Sequence, residues 1–245
     1  MLLLFGLASG YNDTRGFIVN DIYGVLTMPG FPLSCKAPLL VANVPFQIEQ
    51  RAILRELRIP KAKSFEDLHD PKLEAELKRA VDIACTLISG KGVYRTFPIE
   101  AKDRERIRLV GLEDALESLS LAKVLEHAEF VSVLVATIGP SLDRMVEELT
   151  QAEPALAYLL DRIGGWMADY MAGKIDERIE AEAKRAGFGR TMRYSPGYGD
   201  FPLSYQPLLL EKVEGWRVGV ALTEGFMLVP QKSVTALIGW EVAHA

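Results

Sequence analysis

The run Arg193-Tyr194-Ser195-Pro196-Gly197-Tyr198-Gly199-Asp200 gathers a guanidinium, phenols, a hydroxyl and a carboxylate into one short segment. Pro196 fixes its own φ and restricts Ser195, while Gly197 and Gly199 open conformations closed to other residues, so the segment reads as a shaped turn. An Arg takes a carboxylate through paired hydrogen bonds, and a phenol and free backbone groups can meet a flat ring and its polar edges. The chemistry suits an amphoteric ligand that carries a carboxylate, an aromatic ring and hydrogen-bonding edges. Composition alone also suits a plain connector, because proline, glycine and tyrosine are ordinary loop residues.

A second set of candidate residues lies just upstream. Asp161, Gly165, Asp169 and Gly173 recur at four-residue steps, so acids alternate with bare backbone along one helical face. Glycine inside a helix costs roughly 1 kcal/mol relative to alanine, which asks for a packing or ligand reason at Gly164, Gly165 and Gly173. Either a neighbouring element or a ligand is expected to approach that face closely. Other chemistry is thin. His69, His127 and His244 read as capping or exposed groups, and no Ser-His-Asp, Cys-His or His-Glu-x-x-His arrangement can be assembled from them. The charged runs from Lys102 to Arg108 and from Asp176 to Arg185 read as solvated faces. No catalytic residue and no metal ligand is assigned.

These groups need elements to hold them. Residues 47–58 read as a short amphipathic helix stopped by Pro60, and Asp70-Pro71 opens a second helix that runs to Ile88 and ends in the turn Ser89-Gly90-Lys91-Gly92. Val93–Ile99 and Ile107–Val110 read as strands able to pair as a hairpin, and Ser118–His127 as a helix. The apolar run Phe130–Ile138 reads as a buried strand. A helix from Leu142 to Leu149 follows, then a long one from Pro154 to about Arg185 with a core stripe of Leu156, Leu159, Leu160, Ile163, Trp166, Met167, Tyr170, Met171, Ile175 and Ile179. Strands are expected again at Trp216–Leu222, Phe226–Val229 and Ser233–Trp240. Mixed rather than alternating order predicts an α+β fold.

The chain of 245 residues is long enough for a sizeable core, and 49% hydrophobic with 25% charged residues is ordinary globular composition. The net charge of −5 is spread without a basic stripe, which argues against a nucleic-acid partner. The apolar opening Met1–Gly10 lacks a basic flank and is too short to span a membrane. Cys35 and Cys85 stand far apart without thiol or histidine neighbours at ligand spacing, which fits a reducing, cytoplasmic setting.

Arg193-x-x-Pro196-Gly197-Tyr198, followed by Phe201-Pro202, resembles the Arg-x-x-Pro-Gly-Tyr motif of the activation domain of vitamin B12-dependent methionine synthase. Leu222-Thr223-Glu224-Gly225-Phe226-Met227-Leu228-Val229-Pro230 and Lys232-Ser233-Val234-Thr235 resemble that family's downstream segments, in the same order. Arg95-Thr96-Phe97-Pro98-Ile99 and Ala136-Thr137-Ile138-Gly139 extend the resemblance upstream, as in stand-alone relatives of the domain, so that it covers about residues 46–240. It implies a mixed or antiparallel twisted sheet with long helices packed on it. It also implies a single domain over residues 46–245, with residues 1–45 as an extension docked in irregular structure.

The resemblance further implies S-adenosylmethionine as the ligand, with Asp169 facing the ligand's amino group where the family has a glutamate. Arg193 would meet the carboxylate, backbone groups of Ser195 and Tyr198 the adenine, and Gly197 would permit close approach. The implied activity is reactivation. A cobalamin-carrying methionine synthase would be the partner, a flavodoxin-like or ferredoxin-like protein the electron donor, and the chain a methyltransferase component. An alternative is a binding or assembly module for another corrinoid protein. The sequence departs from the family at Gly199-Asp200, where Pro-x-Cys-Pro would stand, and in lacking the region after Trp240 that supplies another tyrosine. It has no Asp-x-His-x-x-Gly pattern, so cobalamin is expected only through a partner.

Overall fold

The computed structural model describes residues 32–59 and 61–242; most of the expected N-terminal extension, Pro60 and His244 lie outside the described residues. In chain order the helices are α1 (Leu33–Lys36), α2 (Gln50–Glu56), α3 (Pro71–Leu87), α4 (Leu119–Val124), α5 (Ser141–Ala152), α6 (Pro154–Arg185) and α7 (Gln206–Lys212). The strands are β1 (Leu39–Ala42), β2 (Lys91–Lys102), β3 (Arg106–Leu109), β4 (Leu116–Glu117), β5 (Ala128–Thr137), β6 (Phe188–Arg190), β7 (Ala221–Leu222), β8 (Leu228–Val229) and β9 (Ser233–Val242).

Seven of these strands form one antiparallel sheet in the order β4-β3-β2-β5-β9-β6, with β1 beside the start of the long β2 on the edge whose end pairs with β3, and β7 and β8 make a separate ribbon. The fold is α+β, as the mixed element order predicts. Local chemistry explains most boundaries. Asp70 caps α3 by accepting from the Lys72 and Leu73 amides, with Pro71 at the first helical position. Ser118 caps α4 through the Leu121 amide. The strand β5 is buried along almost its whole length because β2 and β9 flank it and both its faces are covered, which is why its sequence is continuously apolar.

One face of the sheet packs on α6 and the other on a cluster that includes Val93, Phe97, Val131, Val133, Val135, Phe201, Leu209, Val213 and Leu237. Helix α6 is about 48 Å long at 1.5 Å per residue. Of its stripe, Leu156, Leu159, Leu160, Ile163, Met167, Met171, Ile175 and Ile179 are fully buried or nearly so, whereas Trp166 and Tyr170 are only partly buried and pack on each other at 5.4 Å at the edge of the stripe. At roughly 1.5–3 kcal/mol per large apolar side chain, this burial outweighs the cost of three helical glycines. Gly164 has a packing reason. A Cβ there would lie 2.6 Å from Leu142 Cδ2 and 3.1 Å from Lys232 Cε, where the lysine crosses the helix to pair with Asp161. Gly165 and Gly173 have no protein atom within 4 Å of such a Cβ. The expected close approach by another element is therefore absent at these two among the described residues, and their face is open.

Four further expectations change. Leu33–Lys36 and Leu39–Ala42 are regular rather than irregular, and β1 pairs with Lys91–Tyr94 of β2. Lys91 and Gly92, expected in a turn, open β2; Gly92 sits where a Cβ would strike Ile175 of α6. Trp216–Leu222 is not one strand. A 3-10 turn occupies Gly215–Val218, flanked by Glu214 and Gly219 in the left-handed region, and only Ala221–Leu222 pairs. Finally, Asp176–Arg185 is not a purely solvated face, because Asp176, Ile179, Glu182 and Ala183 are buried.

Candidate functional site

The loop 191–201 leaves the sheet edge at a defined place. The Thr191 amide donates to the Gly239 carbonyl, and Tyr194 exchanges both backbone hydrogen bonds with Leu237 before the chain turns away from β9. Gly197 (φ 93°) and Gly199 (φ 53°) occupy the left-handed region, where glycine carries no steric penalty. At Gly199 a Cβ would also fall 2.5 Å from the Tyr194 hydroxyl and 2.8 Å from Ser120 Oγ, so any side chain there would have to displace both.

The turn is closed by its own backbone. The Gly197 amide donates to the Phe201 carbonyl at 2.7 Å, the Tyr198 amide to the Ser195 carbonyl at 3.1 Å, and the Phe201 amide to the Tyr198 carbonyl at 2.9 Å. The Tyr194 hydroxyl also donates to the Tyr198 carbonyl, and its ring meets Tyr198 edge-on at 5.8 Å. Behind the loop, Phe201 stacks on Tyr205 at 5.2 Å. At the far end Asp200 accepts from the Ser118 hydroxyl and from the Leu119 and Ser120 amides, which holds its carboxyl well below the usual carboxylate range. The run is an anchored turn, as the prolines and glycines predict.

Where the loop diverges from β9, a groove of about 320 Å³ lies between α6 and the sheet edge. Its lining includes Asp169 and Asp176 from α6, Arg190 and Arg193, Ser195 and Tyr198 from the loop, and Ala236 from β9. Four of the five residues singled out in the sequence thus share one groove. Gly197 is not in the lining; it shapes the turn behind Tyr198, facing Leu203. Because the Tyr198 amide and carbonyl are spent on the turn, the loop offers the groove chiefly the side chains of Ser195 and Tyr198.

The charges alternate. Arg193 Nη2 stands 3.0 Å from Asp169 Oδ1, on a rim where the aspartate side chain is 67% exposed. Deeper in, Asp176 lies between two guanidiniums, with Oδ1 3.1 Å from Arg190 Nε and Oδ2 3.8 Å from Arg193 Nε. Its side chain is 11% exposed, and its buried Oδ1 accepts no hydrogen bond. Burial pushes this carboxyl up, against the opposing pull of Arg190 and Arg193. A groove that carries both signs of charge, with acids from α6 and guanidiniums from the segment at the sheet edge, fits a zwitterion better than a simple anion or cation.

Asp176 and Arg190 were not among the residues read from sequence. For Asp176 a signal was present, since it lies seven residues, two helical turns, after Asp169 and so shares its face; for Arg190 there was none, because a three-residue step in an extended segment does not place two side chains on one face.

No family model matches the chain, and no curated protein matches it. Among solved structures, the crystal structure of the MetH reactivation domain bound to AdoHcy is similar to it, with a TM-score of 0.61 at 14% identity, covering 93% of this chain and 84% of that one. The two share a fold. At this identity the likeness extends to architecture, which is the antiparallel sheet with long helices described above. No helix among the described residues is long and apolar enough to cross a membrane.

Proposed function

We propose that the chain binds S-adenosylmethionine in the groove between α6 and the Arg193–Tyr198 loop, and that it supports reductive methylation of cobalamin carried by a partner methionine synthase. The observation that carries this reading is the pairing of Arg193 with Asp169 across a groove walled by Ser195 and Tyr198, in a fold whose neighbour holds AdoHcy. The groove fits such a ligand on three counts. Its volume lies at the lower end of the range for small-molecule sites. Arg193 suits a carboxylate, and the acids of α6 face the positive part of the molecule. The half-exposed Tyr198 ring offers a flat apolar surface beside Ser195.

In this reading the chain's work is positioning. It holds the sulfonium methyl in line with a cobalt presented by the partner, while a flavodoxin-like or ferredoxin-like donor supplies the electron. Transfer of a methyl group from a sulfonium needs no general acid or base. Isothermal titration with S-adenosylmethionine and S-adenosylhomocysteine tests the binding step. Saturable binding is expected from the wild type, and Arg193→Ala should weaken it about tenfold or more, the worth of a lost charge-assisted pair. Absence of heat from the wild type, or equal affinity in the variant, overturns the proposal.

A further inference from the structure

Helix α6 carries polar side chains on a second flank. Tyr170, Lys174 and Arg178 follow one another at four-residue steps and so share one face. Tyr170 and Glu177 each stand one residue after a groove aspartate, Asp169 and Asp176, and hence roughly 100° round the helix from it. Against this flank lies the extended segment of residues 43–47, and between the two is a cleft of about 460 Å³, larger than the groove. Asn43, Pro45 and Gln47 line it on one side and Tyr170, Lys174 and Arg178 on the other. The S-adenosyl reading uses none of these residues.

The cleft is rich in hydrogen-bond donors. Arg178 is exposed and engages no carboxylate among the described residues, so its guanidinium is open to an anion. The Lys174 ammonium stands 5.2 Å over the Tyr170 ring and donates to both oxygens of Glu177, at 2.8 and 2.9 Å, which fixes it and leaves one of its three donors. The side-chain amides of Asn43 and Gln47 add neutral donors and acceptors. Residues 44–47 make no backbone–backbone hydrogen bond; the Gln47 amide donates to the Tyr170 hydroxyl at 3.4 Å, and the amide of Val44, also in the lining, is unspent.

The same contacts exclude other ligands. Phe46 and Trp166 each pack on the Tyr170 ring at 5.4 Å and Lys174 lies over it, so the ring is a fixed wall and not a platform for a second ring. Glu177, 63% exposed, is the one acid of the lining, and two cations outweigh it. A donor-rich, net positive wall suits an anion with several acceptor oxygens. The volume is that of a small-molecule site and leaves room for more than a bare anion.

We propose that the cleft between residues 43–47 and α6 is a second ligand site, separate from the groove, which takes the phosphate monoester of a small polyhydroxy compound. Arg178 and Lys174 hold the phosphate, and the amides of Asn43 and Gln47 meet the hydroxyls.

The test is isothermal titration of the whole chain with ribose 5-phosphate at fixed ionic strength. Saturable binding is expected, and no binding overturns the inference while leaving the S-adenosyl reading untouched. Ribose, ribonate and inorganic phosphate should all bind more weakly. Equal affinity for ribose removes the phosphate from the assignment, for ribonate the choice of phosphate over carboxylate, and for inorganic phosphate the polyhydroxy body; each overturns it. Arg178→Ala should weaken ribose 5-phosphate about tenfold, the scale of a hydrogen bond to a charged group. Glu177→Gln should strengthen it, because the Lys174 ammonium is released. Lys184→Ala removes an exposed charge from the same helix outside the cleft, where it pairs with Glu180 at 2.8 Å, and should change nothing. A loss equal to that of Arg178→Ala would mean diffuse attraction to the helix and no site. Arg193→Ala should also bind ribose 5-phosphate as wild type does; weakening there would place the sugar phosphate in the groove and overturn the inference. Thermal midpoints confirm that the variants are folded.

Discussion

Asp200 does for the loop what a helix cap does for a helix: its two oxygens accept from the Ser118 hydroxyl and the Leu119 and Ser120 amides. These bonds favour the ionised form, so the folded chain resists protonating it. A depressed carboxyl stabilises the fold fully above the ordinary carboxylate range near pH 4, and that contribution is lost as pH falls through the lower folded value. Asp200→Asn should therefore be less stable than wild type at pH 7, with the gap closing towards pH 2, as urea midpoints across that range would show. A constant gap would mean the carboxylate charge is not what matters. Single residues were unevenly legible in the sequence. Gly197 and Gly199 announced their positive φ because few other residues could follow Pro196 in a tight turn. Arg193, Ser195, Tyr198 and Asp169 were reached through a motif resemblance. Asp176 was hidden because a charged residue in a charged run reads as surface, and only the fold reveals that β6 and the loop cover it.

At the scale of elements, α6 separates two kinds of glycine that sequence treats alike. Gly164 is needed where Lys232 and Leu142 cross it, while Gly165 and Gly173 face open space. Gly165→Ala and Gly173→Ala should each raise stability by up to about 1 kcal/mol through helix propensity, whereas Gly164→Ala should lower it. Thermal unfolding of the three variants decides this, and a loss of stability in Gly165→Ala would show that the open face is used by the folded chain itself. Long periodic elements such as α3, β5 and α6 were readable because burial imposes a pattern on many residues at once. Short ones were not. In β1 the pairing partner at Lys91–Tyr94 is some fifty residues away in sequence, and no local pattern records it. Trp216–Leu222 misled because its aromatic and β-branched residues do favour strands. Gly215 and Gly219 instead fold the segment so that Val218 and Val220 enter the same core cluster.

Across the whole molecule, a buried polar chain ties the edge of the sheet to its centre and to α6. Ser34 Oγ, Thr96 Oγ1 and Ser132 Oγ are linked at 2.7 Å each, and the Trp240 indole donates to Ser132 at 2.8 Å. Glu182 accepts from the Ser34 amide and from the Tyr94 hydroxyl, both at 3.0 Å; burial first, and the Glu182 charge next, push that phenol up. Glu182→Leu would strand both donors and should cost about 2–6 kcal/mol in urea unfolding, at roughly 1–3 kcal/mol per orphaned group. Adding Tyr94→Phe should recover part of the loss, and no recovery would show that the bond to Tyr94 carries none of it. The same sheet also dictates when the groove can exist. Strand β9 lies between β5 and β6, pairs with residues about a hundred positions earlier, and supplies Ala236 to the groove. As the polypeptide emerges during synthesis, α6 and the loop with both aspartates and both arginines come out first and wait, without a floor between them, for β9 to slot into the sheet. The groove is therefore completed in a single late event, and its presence reports on completion of the sheet rather than on the folding of the segments that hold the charges.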